Sequence, residues 1–272
     1  MVDGYHSVPV GGIMELKYFF VTAAYILTTC DLVLSANTII NVTLVDGETP
    51  NEGRVEYFRS EDSTWASACG DGLASAEAPV VCRQLGYPGA NNFLAQWPYG
   101  DGTTVAQDRL DCDGNEENLA DCSLVSTTFC TNKGGVICYE SGYTGCYPYP
   151  ASAMSSLGDF QTLCENGLQD STIPNCVSLC HDSNGIYTYA GLYKGNMCLC
   201  GKASTTIDQS TKEADRLCSS PCTGRTIETC GGANHIALFN ITLYLQNTKR
   251  TASPPGCAEP TPTQTGGESD HY

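Results

Sequence analysis

The fold of this chain is decided by the stretch Thr172-Ile-Pro-Asn-Cys-Val-Ser-Leu-Cys180. The stretch predicts the start of a helix, because Pro174 falls in the first turn, where its missing N–H costs little. Cys176 and Cys180 are four residues apart and therefore share one face of that helix. The helix thus presents two cysteines to a neighbouring element.

The neighbouring element is indicated by two segments that follow the helix. The first is the strand-like Tyr187-Thr-Tyr-Ala-Gly-Leu-Tyr193, and a Lys-Gly-Asn turn separates it from Met197-Cys-Leu-Cys-Gly201. Cys198 and Cys200 share one face of the second strand, because side chains alternate between the two faces. The sequence therefore predicts a helix stapled across a small sheet.

The composition indicates an oxidising compartment. Seventeen cysteines in 272 residues would stay reduced in the cytosol. Zinc, the competing interpretation, needs Cys and His tetrads at tight spacing, whereas the chain has four His and no Cys-x-x-Cys. A net charge of −17 excludes nucleic acid, which requires clustered Lys and Arg, and disfavours anionic membranes. Glycans or extracellular proteins remain as partners.

Residues 1–36 have the pattern of a secretory signal. Lys17 precedes about a dozen mostly apolar residues, and Met14 is an alternative start. A spanning helix needs about 20 apolar residues, and Asp31 interrupts this run. Cleavage after Ala36 removes Cys30 and leaves an even number of cysteines, which can all pair. We therefore predict a secreted, extracellular protein without a membrane span after cleavage, with an uncleaved signal anchor as the alternative.

Residues 38–140 carry the signals of a first module. Three strands are predicted, over Ile39–Val45, Gly53–Phe58 and Thr64–Cys69. Alternation of Val55 and Tyr57 with polar residues is typical of a half-buried strand. Ser75 is predicted to cap a helix over Ala76–Leu85, with Gly86 as its stop.

The motifs of this module resemble the scavenger receptor cysteine-rich (SRCR) domain in order and spacing. They are Gly53-Arg-Val-Glu, Trp65-x3-Cys69-x-Asp71-Gly, Val80-Val-Cys-Arg-Gln-Leu-Gly86-Tyr, Leu110-Asp-Cys-Asp-Gly-x-Glu116-x2-Leu-x2-Cys122 and Gly135-Val-Ile-Cys138. The resemblance implies a curved antiparallel sheet that cradles one helix. It also implies three disulfides, each worth roughly 2–4 kcal/mol: Cys69–Cys130, Cys82–Cys138 and Cys112–Cys122.

Many members of that family bind divalent cations through aspartates and a downstream glutamate, but this sequence departs from their pattern. Gly70 and Arg109 stand where aspartates usually occur. Ca²⁺ prefers about six to eight oxygen ligands, so the remaining carboxylates are a poor nucleus. A solvated acidic rim is the favoured interpretation. A weak Ca²⁺ site at Asp71, Asp108 and Glu116 is the alternative, and no other cofactor is expected.

Residues 142–244, which contain the crosslinked helix, resemble the WSC domain. The motifs are Gly145-Cys-Tyr, Cys176-x3-Cys180, Tyr189-Ala-Gly-Leu, Cys198-x-Cys200-Gly, Cys218-x3-Cys222 and Cys230-Gly-Gly232 followed by Asn234. The eight cysteines of this module are Cys146, Cys176, Cys180, Cys198, Cys200, Cys218, Cys222 and Cys230. They allow roughly a hundred pairings, among which we favour those that join the helix cysteines to the strand cysteines.

The remaining features lie in the flanks of the second module and at two sequons. Cys164 and Cys257 are left over, and we predict that they pair. Residues 245–272 are polar and rich in Thr, Pro and Gly, which predicts a flexible tail tied back by that bond. Asn41 and Asn240 begin N-glycosylation sequons, as befits a secreted chain.

The second resemblance implies carbohydrate binding, chiefly to cell-wall-type polysaccharides. Sugar rings stack their C–H faces on aromatic side chains, while polar groups fix the hydroxyls. About half of the strand tyrosines should be structural, because alternate positions face the core. The candidates are Tyr147, Tyr149, Tyr187, Tyr189 and Tyr193, with Asn196 and Asn234 as polar partners.

No catalytic motif is evident in the sequence. Nucleophile elbows, phosphate loops and His-Glu-x-x-His are absent, so we expect a binding protein and not an enzyme. The expected fold class is α+β, with two small disulfide-rich modules, each a curved antiparallel sheet packed on one helix. The expected function is scavenger-receptor-like recognition of extracellular or microbial glycans or polyanions, in innate immunity. The alternative is an extracellular matrix or cell-surface adaptor that binds other proteins.

Overall fold

A computed structural model describes residues 39–127, 129–149, 160–183, 185–247 and 256–257. The predicted signal and most of the predicted tail lie outside these residues. The described chain is α+β and built on antiparallel sheets, so the predicted fold class is confirmed. No helix of the described ranges is long and apolar enough to cross a membrane.

The first module is a five-stranded sheet with one α-helix. The elements are β1 (Ile39–Val45), β2 (Glu52–Arg59), β3 (Thr64–Ser67), α1 (Glu77–Gln84), β4 (Ala90–Leu94), β5 (Asp108–Asp111), β6 (Ser123–Ser126) and β7 (Gly135–Cys138). The sheet order is β1-β2-β7-β4, with β3 paired to β2, and β5 pairs with β6 in a separate ribbon. Helix α1 packs against β4 and β7.

Helix α1 begins differently from the prediction. Its N-cap is Ala76, without a side-chain cap, so the predicted Ser75 cap is wrong. The buried carboxylate of Glu77 instead accepts the N–H groups of Ala74 at 3.0 Å and Cys112 at 3.3 Å. This carboxylate ties the helix start to the ribbon, which a capping serine could not do. The helix ends before Gly86, whose φ of 84° requires the left-handed region that glycine tolerates.

Strand β2 is buried on both faces, whereas its alternation predicted a half-buried strand. Glu52, Arg54 and Glu56 are all buried. The guanidinium of Arg54 binds Glu56 at 3.0 Å and Asp46 at 2.5 Å. The backbone N–H of Thr103 donates to Glu56 at 3.3 Å. Ion pairing therefore allows these charged side chains to be buried. A pattern of alternating apolar and polar residues does not predict such burial.

The second module is a five-stranded antiparallel sheet with two α-helices. The elements are β8 (Tyr143–Pro148), β9 (Gln161–Thr162), α2 (Ile173–Asp182), β10 (Tyr187–Tyr193), β11 (Met197–Lys202), β12 (His235–Asn240) and α3 (Ile241–Asn247). The sheet order is β8-β12-β10-β11-β9. Helix α2 begins as predicted, with Pro174 in its first turn and the Thr172 side chain accepting the Asn175 N–H at 3.2 Å. This helix packs against β10 and β11.

Helix α3 was not expected from the sequence. Asn240 caps it, because the Asn240 Oδ1 accepts the N–H of Leu243 at 3.0 Å. Ile241 and Tyr244 are buried and pack in the same core as α2. The first three residues of the predicted tail are therefore helical.

The described residues contain eight disulfides. Those of the first module are the pairs that the SRCR resemblance implies, and Cys164 joins Cys257 beside a β-bridge from Leu168 to Cys257. Both cysteines of α2 bond to strand β11. The pairs are Cys69–Cys130, Cys82–Cys138, Cys112–Cys122, Cys146–Cys218, Cys164–Cys257, Cys176–Cys198, Cys180–Cys200 and Cys222–Cys230.

An ionic contact joins the two modules. The Arg225 guanidinium of the second module binds both oxygens of Glu52 at 2.7 Å, and the Glu52 side chain is fully buried. Arg225 also contacts Glu228 at 2.9 Å and Glu48 at 3.3 Å. Burial acts to lower the pKa of Arg225, but the hydrogen bonds and negative charge of Glu52 and Glu228 raise it overall. The arginine is therefore a permanent cation between the modules.

A second, neutral contact lies beside the ionic one. Asn91 and Thr229 form three hydrogen bonds of 2.8–2.9 Å, and both residues are buried. Tyr139, which follows β7, stacks on Tyr143 with ring centroids 3.5 Å apart. Tyr139 packs within the core of the second module, so the two modules share packed residues and form one unit.

Candidate ligand-binding surfaces

The tyrosines of β10 are divided between the two faces of the second sheet. Ala190 and Leu192 face the core beneath α2. Tyr189 and Tyr193 point to the opposite face, where they pack with Ile236 and other side chains. This outer face carries the aromatic residues that the sequence singled out.

Two further tyrosines, Tyr147 in β8 and Tyr149 just after β8, also lie on the outer face. Tyr149 contacts Tyr193 edge to face, with ring centroids 5.0 Å apart. Tyr147 is fully buried, and its hydroxyl donates to Gln209 at 2.9 Å. Tyr147 is therefore structural, whereas Tyr149 and Tyr189 are partly exposed. We call Tyr149, Tyr189 and Tyr193 the tyrosine face.

Two of the tyrosines at this surface have raised pKa values. Burial raises the pKa of Tyr149, and the nearby Tyr193 raises it further. Burial also raises the pKa of Tyr147. The Lys194 ammonium lies 4.9 Å from the centroid of the Tyr193 ring, a cation–π contact without a signal in the sequence. The surface therefore offers aromatic rings and neutral hydroxyls, with one cation at its edge.

Tyr187 lies apart from the tyrosine face. A register irregularity between Tyr187 and Tyr189 breaks the alternation, and Tyr187 packs against the α2 core. Its hydroxyl donates to Gln161 at 2.7 Å. The two candidate asparagines also differ, because Asn234 is exposed and its carbonyl accepts the Tyr149 N–H at 2.8 Å. Asn196 lies in the turn before β11, and its carbonyl accepts the Leu168 N–H at 2.8 Å.

The three carboxylates considered for Ca²⁺ have separate surroundings. Asp71 is exposed, and Asp108 accepts from Ser126 at 2.9 Å and from Arg59 at 3.4 Å. Among the described residues, the convergent sets of His, Cys, Asp and Glu do not combine Asp71, Asp108 and Glu116. Those sets contain cysteines that are already in disulfides. The structure therefore does not bring the three carboxylates together.

Glu116 has a structural use in the first module. Its two oxygens accept the N–H groups of Asp113 at 2.6 Å and Gly114 at 2.8 Å. Desolvation acts to raise the pKa of Glu116, but these backbone hydrogen bonds lower it overall. The carboxylate thus closes the turn between Cys112 and Cys122.

The two sequon asparagines differ in exposure. Asn41 is exposed on β1, and its Oδ1 accepts the N–H of Val42 at 2.9 Å. Asn240 is partly buried and caps α3 through its Oδ1. Glycosylation at either asparagine stays a prediction.

Comparison with known proteins identifies two domain families. Residues 45–139 match the scavenger receptor cysteine-rich domain and residues 143–232 match the WSC domain. The chain is similar to the third SRCR domain of murine neurotrypsin, with 38% identity over 36% of this chain and 94% of that chain, at a TM-score of 0.30. It is also similar to the SRCR domain of mouse MARCO in its dimeric form, with 31% identity over 33% of this chain and 87% of that chain, at a TM-score of 0.28.

Both families are binding domains and not enzyme families. The eight disulfides agree with the oxidising compartment that the cysteine content indicates. The chain therefore belongs to the scavenger receptor cysteine-rich proteins, carries a WSC domain after its SRCR domain, and is an extracellular, receptor-like, ligand-binding protein.

Proposed function

We propose that this protein is secreted and recognises extracellular or microbial glycans through the tyrosine face of its WSC domain, in innate defence. The observation that carries the proposal is the placement of Tyr149 and Tyr189, partly exposed, on the sheet face opposite α2. Their rings are supported from below by buried residues such as Leu238 and Phe160, so they are held in place before a ligand arrives. Preorganised aromatic surfaces lose little conformational entropy on binding.

The chemistry of the face favours uncharged sugars. Apolar ring faces pack against aromatic side chains, and neutral phenol hydroxyls exchange hydrogen bonds with sugar hydroxyls. The exposed side chain of Asn234 adjoins Tyr149 through the backbone contact at 2.8 Å and adds an amide at the rim. The net negative charge of the protein repels polyanions, and the tyrosine face has little positive charge to offset that repulsion. We therefore infer that its ligand is a largely uncharged polysaccharide.

A matched pair of variants on one strand tests this proposal. The full chain, with its disulfides intact, is assayed on a glycan array with and without Ca²⁺. We expect Tyr189→Ala to abolish polysaccharide binding and Tyr187→Ala to leave it unchanged, because the two side chains lie on opposite faces. Equal effects of both substitutions, or no binding by the unaltered protein, would contradict the proposal.

Protein binding by the SRCR domain is the second candidate function. Phe129 is 83% exposed, and Trp65 is 39% exposed and packs edge-on against Phe58. Exposed aromatic side chains are enriched in protein interfaces. A blank glycan array, together with binding of an extracellular protein that Phe129→Ala removes, would favour this adaptor function.

A further inference from the structure

A polar cleft of about 500 Å³ lies where the two domains meet. Helix α1 and the turn 113–115 of the SRCR domain form one wall, and residues 212–216 of the WSC domain form the other. Ligand sites commonly have volumes of about 300–1,000 Å³ and occur preferentially at domain interfaces. The size and place of the cleft therefore suit a small ligand.

The walls of the cleft are fixed by hydrogen bonds. The Tyr143 hydroxyl donates to Asp215 at 2.7 Å, which holds the WSC segment. Arg83 donates to the carbonyl groups of Gly114 at 2.7 Å and Glu116 at 2.7 Å and 3.1 Å, which holds the SRCR turn. Both walls are therefore held in position by contacts within the protein itself.

The cationic groups of the cleft stand out in so acidic a chain. Three of its thirteen basic residues, Arg83, Lys212 and Arg216, line this one space. In the described ranges, neither Lys212 nor Arg216 forms an ion pair with a carboxylate. The Lys212 ammonium instead lies 5.8 Å from the centroid of the Tyr143 ring.

Two of the three acidic side chains in the cleft are already engaged. Asp215 accepts the Tyr143 hydroxyl, and Glu213 contacts the His235 ring at 3.0 Å. The charged groups that remain for a ligand are thus Lys212, Arg216 and the exposed Asp113. The site is suited to a sugar residue that carries a negative group and several hydroxyls.

An apolar extension continues from the cleft. A second cavity of about 230 Å³ shares Ser75, Pro79, Asp215 and Arg216 with the first. Its other walls include Ala78 and Phe93. Such a surface can pack against the C–H face of a sugar ring while Arg216 remains at the junction.

We propose that the interdomain cleft binds a carboxylated sugar residue, as in an acidic saccharide. Lys212 and Arg216 bind its carboxylate, Asp113 and Ser75 its hydroxyls, and the apolar extension its neighbouring ring. The cleft is separate from the tyrosine face, so this site does not depend on that face binding a glycan. It requires the SRCR and WSC domains together, because each supplies one wall.

Trigalacturonate and its methyl ester provide a matched pair of ligands with the same sugar backbone, in which esterification adds a methyl group to each carboxyl and removes its negative charge. Binding to the full chain is measured by isothermal titration calorimetry at low salt, with inorganic sulfate as a competitor. We expect the acid to bind and its ester to bind at least about tenfold more weakly, because hydrogen bonds to charged groups are worth more than neutral ones. Lys212→Gln with Arg216→Gln should abolish binding of the acid, whereas Lys202→Gln, an exposed lysine outside the cleft, should leave it unchanged.

The outcomes separate a specific site from general attraction. Equal weakening by the double variant and by Lys202→Gln, full displacement by sulfate, or no binding of the acid overturns the proposal. Retained binding of trigalacturonate by Tyr189→Ala supports a site apart from the tyrosine face. Loss of that binding in Tyr189→Ala would assign acidic sugars to the tyrosine face and would also overturn the proposal.

Discussion

The two domains are held together by different kinds of core. In the WSC domain, nine of the twenty buried residues of the main core are cysteines. In the SRCR domain, two of seventeen are cysteines, and Tyr57 and aliphatic side chains fill the rest. The SRCR domain thus packs around a sheet and a helix, with disulfides mainly at its margins. The WSC domain instead uses cystines as its packing material, so its fold depends directly on oxidation.

The largest effect should come from removing a core disulfide of the WSC domain. We expect Cys176→Ser with Cys198→Ser to prevent folding of this domain, because the bond is buried and closes a 22-residue loop. Loss of such a bond costs about 2–5 kcal/mol in a small domain, and two buried hydroxyls add to the cost. Yield of secreted protein and differential scanning calorimetry would measure the effect.

The matched control removes a disulfide from the other domain. Cys112→Ser with Cys122→Ser opens a 10-residue loop between half-buried cysteines. The SRCR domain should then remain folded with a lower melting temperature. A chain in which this second pair of substitutions is the more damaging would refute the contrast between the two cores.

The next largest effect concerns the contact between the domains. Arg225→Ala deprives the buried Glu52 carboxylate of its two bonds at 2.7 Å. Removal of one partner of a buried ion pair costs about 3–5 kcal/mol, and the partial exposure of Arg225 places the expected value at the lower end. Denaturant unfolding should change from one transition to two. Arg225→Lys keeps the charge without the bidentate geometry, so its free energy of unfolding should lie between those of the unaltered protein and Arg225→Ala. Equal stability of all three proteins would show that this ion pair does not hold the two domains together.

The contact between the domains also marks the limit of what the sequence could predict. Local sequence was enough for three elements of the WSC domain: cysteine spacing indicated helix α2 and strand β11, and the strand-like run Tyr187–Tyr193 indicated β10. The contact of Arg225 with Glu52 spans 173 residues and has no local signal. A separate contact between the domains has no local signal either: Gly89 leaves room for Asp215, since a Cβ at Gly89 would lie 2.4 Å from the Asp215 carboxylate.

The candidate site could be predicted only in part. Alternation correctly implied that some strand tyrosines are structural, and Tyr147 is one of them. The register irregularity that separates Tyr187 from Tyr189 could not be read from a run of residues with high strand propensity. The cleft was missed because its two walls lie far apart in sequence.

A smaller effect is expected in the SRCR domain, where Glu116 closes a turn. Glu116→Gln keeps an acceptor but loses the charge, which should cost about 1 kcal/mol or less at pH 7 at this solvent-screened position. The lowered pKa of the folded carboxyl gives stability that is present above the unfolded value of about 4.3. That stability is lost as the pH falls through the folded value.

Glu117→Gln, at the exposed neighbouring residue, is the control for this turn and should change little. The difference in melting temperature between the two variants should be smaller at pH 3 than at pH 7. Ca²⁺ should not shift the melting temperature of either variant. A calcium-induced rise in melting temperature that Glu116→Gln removes would place a metal at this carboxylate instead.

The smallest effect should come from Asp215, where the two domains meet. Burial raises the pKa of its carboxyl, although the Tyr143 hydroxyl and Lys212 oppose the rise. A raised folded pKa contributes stability below the unfolded value of about 3.9, and this contribution is lost as the pH rises through the folded value. Asp215→Asn should therefore gain stability relative to the unaltered protein as the pH rises from 4 towards 7, while Asp113→Asn, an exposed carboxylate of the same cleft, should show no such trend. Denaturant titrations across that pH range measure how the free energy of unfolding of each protein depends on pH. Parallel pH dependence for all three proteins would mean that burial does not raise the pKa of the Asp215 carboxyl.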